Sequence, residues 1–456
     1  MSNEHPNILI FLSDQLRRQA HGCYGDPNVL TPHVDQLAAE GVRFANACST
    51  YPICVPFRFT LMTGHYAHSR CIPGIHYRMS PAERTLADEF NDAGYKTIYV
   101  GKWHLDGNSG DPVPVERQGR WQRWIGHEHQ TGLPGGAGGP AHLHRDIELF
   151  DSKTQQSKRI KGYTTDALVD LTMETIREER REGQPFCCVC SVLPPHPPLD
   201  PPEEEMERWK DRGFEAPPNL QYSHAEYPEV RGDFIREFDA DDIDWHWRSY
   251  YAMVENLDKN VGRLRAFLED EGLDDNTIVL YVSDHGELAG CHGLRGKQFP
   301  FEESVGIPLI VYDPRRRQDA GRVVEEPVAT EDIFPTILGL CGLPARDELH
   351  GADCTPLMRG EIEALDRPGA LLEFVRDDRP QHAFFNQGWR AVRTRDSVYM
   401  NIDGKPWMFF DLENDPYQTR NLVDDPDSRE RIAQHHQWLA ELLEKTGDHY
   451  RLDDLT

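Results

Sequence analysis

Asn7-Ile8-Leu9-Ile10-Phe11-Leu12-Ser13 is a nearly unbroken apolar run of strand length, and it closes on Asp14-Gln15. A strand with one wet face alternates apolar and polar residues. A continuous run reads as a strand covered on both faces, as in a parallel sheet. The same texture recurs at Lys96–Val100, Phe186–Val192, Thr277–Ser283 and Pro308–Tyr312. Helix-like segments lie between these runs. Thr31-Pro32 pairs an N-cap residue with proline at the first helical position, opening a helix through Glu40 that Gly41 ends. Arg58–Met62, Leu86–Ala93, Thr165–Glu182 and Asp332–Leu340 also read as helical. So does Asp244–Glu271, with apolar spacing at Met253, Leu257, Val261, Leu264 and Leu268. The alternation predicts an α/β fold, a mostly parallel mixed sheet sandwiched by helices, over residues 1–365.

The texture changes near Asp366. Leu371–Val375, Trp389–Thr394, Ser397–Ile402 and Trp407–Leu412 are short strand-like runs, and Asp403-Gly404 is a hairpin signal. A charged amphipathic segment, Ser428–Lys445, follows. Residues 366–456 are therefore expected to form a small antiparallel sheet packed with a helix. Two domains suit a chain of 456 residues, which exceeds what one core usually organises. Thr131–Pro140 and Pro194–Pro202, rich in glycine or proline, read as loops.

Lys and Arg total 49 against 77 Asp and Glu, a net charge of −28. Such a surface repels nucleic acid and anionic membrane, which excludes both as expected partners. No apolar run reaches membrane-spanning length. The start, Met1 to Pro6, shows no basic segment followed by an apolar one, so no secretory signal is read there. Cys187, Cys188 and Cys190 share one apolar run and read as small buried hydrophobes. A reduced, cytoplasmic protein is the expectation.

Ligands of open α/β sheets bind beyond the carboxyl ends of the strands. Asp14 and Gln15 end one strand; Asp284 and His285 end another. Together they make a plausible metal cage. Carboxylates and an amide oxygen suit Ca²⁺, while an imidazole nitrogen leaves Mn²⁺ open. Three further segments place cations or imidazoles at strand ends: Gly101-Lys102-Trp103-His104, Pro194-Pro195-His196-Pro197 and His292-Gly293-Leu294-Arg295-Gly296-Lys297. Lysine there can offset charge on an oxyanion, and histidine can move a proton near neutral pH.

Cys54-Val55-Pro56-Phe57-Arg58, closing at Thr63-Gly64, resembles the segment that sulfatase-maturing enzymes read. Asn7–Gln15, Cys23-Tyr24-Gly25, Gly41–Phe44, Glu302-Glu303-Ser304, Asp332–Thr336 and Asp411–Pro416 are similar to further segments of one family, in family order. The chain thus resembles a formylglycine-dependent type I sulfatase of the alkaline phosphatase superfamily along nearly its whole length. The resemblance implies that a maturation enzyme converts Cys54 to Cα-formylglycine, whose hydrate attacks sulfur with one hydroxyl and expels the sulfate with the other. It implies that Asp14, Gln15, Asp284 and His285, with residue 54, hold one divalent ion. Arg58 would steady the hydrate, Lys102 and Lys297 would clamp sulfate oxygens, and His104 would act as base. His196, with Lys297, would protonate the leaving group.

Three residues depart from the commoner pattern: Gln15 in place of a second aspartate, Phe57 in place of serine, and His285 in place of asparagine. The Gln15 and His285 pair also resembles choline-sulfatase-like and phosphonate monoester hydrolase-like branches. Hydrolysis of a small-molecule or carbohydrate sulfate ester is the expected activity. Phosphonate monoester or phosphodiester hydrolysis is an alternative, and a non-catalytic binding protein left unmatured because of Phe57 is another. His65, His68, Arg70, His76, Arg78 and His292 are candidates to line the substrate pocket. Trp121, Trp124, His127, His129, His142 and His144 form a second such set, on an insert that reads as loop-rich. Homo-oligomer formation stays open.

Overall fold

The computed structural model describes residues 5–107, 112–128, 144–221, 240–376 and 387–455. In chain order the strands are β1 (Asn7–Asp14), β2 (Val42–Phe44), β3 (Ala47–Cys48), β4 (Lys96–Lys102), β5 (Arg123–His127), β6 (Arg145–Asp151), β7 (Gln156–Tyr163), β8 (Phe186–Pro195), β9 (Thr277–Ser283), β10 (Leu309–Tyr312), β11 (Arg322–Val324), β12 (Val328–Ala329), β13 (Ala370–Phe374), β14 (Trp389–Arg393), β15 (Ser397–Ile402) and β16 (Lys405–Asp411). Ten of them form the main sheet in the order β11-β2-β10-β9-β1-β8-β4-β5-β6-β7. The centre, β9-β1-β8-β4-β5, is parallel throughout. Both flanks carry antiparallel pairs. β3 and β12 form a separate two-stranded sheet.

Every residue of β1 is buried, and so are all ten of β8 and all seven of β9. Their alternation sorts side chains to two cores. Ile8, Ile10 and Leu12 join one apolar cluster, while Leu9 and Phe11 join the other on the opposite face. Each such side chain contributes about 1.5–3 kcal/mol through burial, so β1 is the axis that both cores need. The long helix Ala240–Asp270 and the helix Thr164–Glu179 cover one face; the helices Cys54–Thr63 and Thr330–Leu340 pack on the other. No helix among the described residues is long and apolar enough to cross a membrane.

β13 to β16 form the antiparallel C-terminal sheet, on which the helix Arg429–Thr446 packs. Asp403 and Gly404 both take positive φ at the β15–β16 hairpin, as that turn requires. All ten cysteines are unpaired, and Cys187, Cys188 and Cys190 are buried in β8.

Three sequence expectations are corrected. The loop expected over Pro194–Pro202 begins only after Pro195, where β8 ends. The helix expected over Arg58–Met62 begins at Cys54 and runs to Thr63. The insert read as loop-rich contains three strands, β5, β6 and β7, with Trp124 and His127 inside β5. The loop expected at Thr131–Pro140, with His129 and His142, lies outside the described residues.

Candidate active site

The site sits where the central parallel strands end. β1 delivers Asp14, β4 delivers Lys102, β8 leads to His196, and β9 leads to Asp284 and His285. Local backbone geometry turns these residues inward. Gln15 takes φ 64°, a left-handed conformation, and its N–H donates to Asp284 Oδ1 at 3.0 Å. His104 takes φ 56°, and its N–H donates to the Glu128 carbonyl at 2.8 Å. Non-glycine residues held there cost energy that the surrounding structure must offset. Gly286 is needed for close approach, since a Cβ would lie 2.0 Å from the Glu303 carbonyl oxygen.

Cys54 enters from the other side, as the first residue of a helix whose ten residues are all buried. Ile53 offers this helix no side-chain cap, and Gly64 ends it in the left-handed conformation with its N–H on the Thr60 carbonyl. The helix N-terminus favours negative charge at Cys54. Arg58, one turn on, shares the face of Cys54. Phe57 is buried in the apolar cluster on that side of the sheet, so its bulk is absorbed by the core.

Sγ of Cys54 lies 3.5 Å from Asp14 Oδ1, 3.3 Å from His285 Nε2 and 3.6 Å from Lys297 Nζ. Arg58 Nη2 lies 3.3 Å from both Asp14 Oδ2 and Asp284 Oδ2, while Nη1 donates to the Lys102 carbonyl and to Ser191 Oγ, each at 2.9 Å. The Lys102 ammonium pairs with Asp14. Lys297 Nζ donates to Gln15 Oε1 at 2.6 Å.

The charges follow from this packing. Burial raises the pKa of Asp14, but Lys102, His196, Arg58 and Lys297 outweigh it and hold the carboxyl well below its usual range. Asp284 is pushed up to about 7 by burial and by the charge of Asp14. Burial, with Lys297, holds His285 well below the ordinary histidine value, so its ring is neutral. Its Nδ1 lies 2.9 Å from the Gly286 carbonyl, which can only accept; Nδ1 therefore carries the proton and Nε2 presents a lone pair. Burial and Asp14 push the Cys54 thiol up to about 11. A thiol nucleophile needs the opposite shift, so the unmodified cysteine is a poor nucleophile here.

Asp14, Cys54, Asp284 and His285 form a metal-coordinating cluster, each offering an atom within 4.8 Å of the others. The donor set fits a divalent cation. Two buried carboxylates face one another, and an imidazole aims its lone pair between them.

The remaining candidates divide. His196 lies close enough to Asp14 to lower its pKa, and its Nδ1 donates to the Pro197 carbonyl at 2.6 Å. His144 holds the His196 carbonyl at 2.7 Å, and His127 stands opposite Lys102 in the β4–β5 register. Trp121 and Trp124 are buried in the core instead. Arg78 pairs with Asp106, two residues after His104, and the backbone of His76 packs against Gly107. His65 and Arg70 follow the far end of the Cys54 helix, which at 1.5 Å per residue is about 14 Å from Cys54 along the axis. Arg70 pairs there with Glu83, and burial and nearby arginines push His65 down to about 4. His68 joins Glu373 of the C-terminal sheet. His292 is buried, stacked on Phe301 at 3.9 Å and 3.2 Å from Glu303. Sequence reasoning missed Ser191, which braces Arg58, and Glu287, which accepts from the Gln15 amide.

A nucleophile position at a helix N-terminus, a metal cage at the ends of two parallel strands and converging lysines define a hydrolase of the alkaline phosphatase-like fold. The chain belongs to the Sulfatase family, which it matches over residues 6–343. Residues 290–445 also match the family described as N-sulphoglucosamine sulphohydrolase, C-terminal. It is 30% identical to the ulvan-active sulfatase of Formosa agariphila, over 98% of this chain and 83% of that protein. A solved structure in complex with its substrate, D-glucosamine-2-N,6-O-disulfate, superposes with a TM-score of 0.83 at 22% identity, covering 98% of this chain and 99% of that one. The phosphonate monoester hydrolase of Agrobacterium radiobacter superposes with a TM-score of 0.76 at 23% identity, covering 97% and 96%. The protein is a sulfuric ester hydrolase that uses a formylglycine derived from its cysteine beside the metal-binding cluster.

Proposed function

We propose that the substrate is a sulfated carbohydrate and that the residues gathered around position 54 divide the work of removing its sulfate. The observation that carries this reading is the convergence of Lys297, His285 and Asp14 within 3.6 Å of Cys54 Sγ. The ulvan-active relative supports a carbohydrate substrate. Formylglycine at 54 supplies, as its hydrate, one hydroxyl to attack sulfur and another to expel the sulfate. Asp14, Gln15, Asp284 and His285 hold the divalent ion, for which mainly oxygen donors favour Ca²⁺. When bound, the ion acidifies the attacking hydroxyl and polarises the ester.

Arg58, fixed by Ser191 and the Lys102 carbonyl, orients residue 54 from one turn away. Lys102 and Lys297 offset charge growing on the sulfate oxygens. Burial works against the Lys102 charge, but the Asp14 carboxylate beside it outweighs burial and keeps the ammonium protonated. His104 takes the proton from the hydroxyl that expels sulfate. His196 donates one to the departing sugar oxygen, with Lys297 beside it. The Cys54 helix is wholly buried, so a maturation enzyme reaches Cys54 only before the chain folds. Rates on a sulfated sugar, an aryl sulfate and an aryl phosphonate test the assignment. The sulfated sugar should give the highest kcat/KM; preference for the phosphonate would overturn it.

The Gln15 and His285 pair favours a second reading, promiscuous turnover of phosphonate monoesters. Both ester types present a single negative charge, and the likeness in fold to the phosphonate monoester hydrolase supports this reading. The aryl phosphonate arm of the same experiment decides it.

A further inference from the structure

Glu287, two residues beyond His285, is buried with 1% exposure. Its Oε2 accepts from the side-chain Nε2 of Gln15, and its Oε1 accepts from the backbone N–H of Ala289 and of Gly296, each at 2.8 Å. The Gln15 amide is therefore gripped at both ends, because its Oε1 accepts from Lys297 Nζ at 2.6 Å. An amide can present either its oxygen or its NH₂ to a given side. Here the alternatives are unequal. Turned over, Gln15 would face its oxygen to the Glu287 carboxylate and its NH₂ to the Lys297 ammonium, two repulsive contacts in place of two attractive ones. Buried groups feel such contacts strongly because little water screens them.

We propose that Glu287 is a positioning residue for the metal centre. It fixes the orientation of Gln15, so that the amide oxygen and not the nitrogen stands on the side of Lys297 and residue 54. Only the oxygen can ligate a hard cation, so Glu287 sets metal affinity without touching the ion. The bonds to Ala289 and Gly296 give Glu287 a second anchor in the 287–297 loop, so a purely structural role must be separated from this one. The inference rests on the metal reading above, with Gln15 as a ligand.

The test is Ca²⁺ affinity of metal-stripped protein, measured by competition with a calcium-binding dye. Glu287→Gln should weaken Ca²⁺ about 10–100-fold, the usual cost of losing a residue that orients a ligand. In a Gln15→Ala background the same substitution should have no further effect. Loss by an equal factor in both backgrounds would show that Glu287 acts through the loop, and unchanged affinity of Glu287→Gln would also overturn the proposal. If Glu287→Gln does not fold, Glu287→Asp keeps the charge on a shorter side chain; its smaller loss must likewise vanish in the Gln15→Ala background. Asp284→Ala serves as control. If it leaves Ca²⁺ affinity unchanged, the metal reading itself fails; if it weakens Ca²⁺ while Glu287→Gln does not, only the role of Glu287 fails.

Discussion

His285 Nε2 stands 3.3 Å from Cys54 Sγ, with its Nδ1 proton committed to the Gly286 carbonyl. A neutral imidazole so aimed is a ligand rather than an acid. Asp14→Ala, Asp284→Ala and His285→Ala should therefore each lose bound divalent metal together with sulfatase activity. Gln15→Ala should be milder, since a neutral amide contributes less charge. Elemental analysis of the purified variants checks this; full metal occupancy in Asp14→Ala or Asp284→Ala would place the cage elsewhere.

Lys102→Ala should lower kcat about 10²–10³-fold, the range for removing one preorganised charge from a transition state, beyond whatever the fall in melting temperature from unpairing buried Asp14 accounts for. Steady-state kinetics beside thermal unfolding separates the two effects. A fall in melting temperature that accounts for the lost activity would make Lys102 a partner of Asp14 and nothing more.

Lys297→Ala and His196→Ala should depend on the leaving group. General acid catalysis contributes about 10²–10⁴-fold where the departing oxygen needs a proton, and little where an activated phenol leaves unaided. A plot of log rate against leaving-group pKa should therefore be more steeply negative in both variants than in the wild type. Parallel lines would assign them to sulfate binding.

The account of the site was legible in the sequence where its chemistry is local. Asp14-Gln15 and Asp284-His285 each follow an apolar run, and parallel pairing of β1 with β9 brings those ends together. Cys54 and Arg58 were readable as a motif, although the start of their helix was not, because no side chain caps it. Residues chosen for nearness in sequence fared worse. His65 and Arg70 follow the same helix but leave from its opposite end, and His292 is stacked in the interior. β7 carried no apolar signal because nearly all of it is exposed; cross-strand bonds to β6 hold it. Glu287 has no spacing that marks it, and only the fold shows that Gln15 lies beside it.

His68, in the segment after the Cys54 helix, ties that segment to the C-terminal sheet. Its Nδ1 lies 2.5 Å from Glu373 Oε2 and 3.7 Å from Asp448 Oδ2, and Arg390 pairs with Asp448. Burial lowers its pKa, but Glu373 and Asp448 outweigh burial and raise it above the ordinary value. A raised histidine pKa stabilises the fold fully below the unfolded value of about 6.5 and loses that contribution as pH rises through the folded value. His68→Ala should thus lower the melting temperature at acid pH, with the gap to wild type narrowing as pH rises above neutral. A constant gap across pH would mean that packing, not charge, carries the contact.

The central claim is that residue 54 works as formylglycine. The thiol is held up to about 11, so it is not ionised as it stands and is a poor nucleophile. The most direct measurement is the intact mass of the peptide bearing residue 54, from protein produced with a formylglycine-generating enzyme, read against specific activity. The mass should fall by the exchange of H₂S for O, activity should scale with the fraction converted, and Cys54→Ala should fold but turn over nothing. Full activity with an unconverted Cys54 would contradict the account.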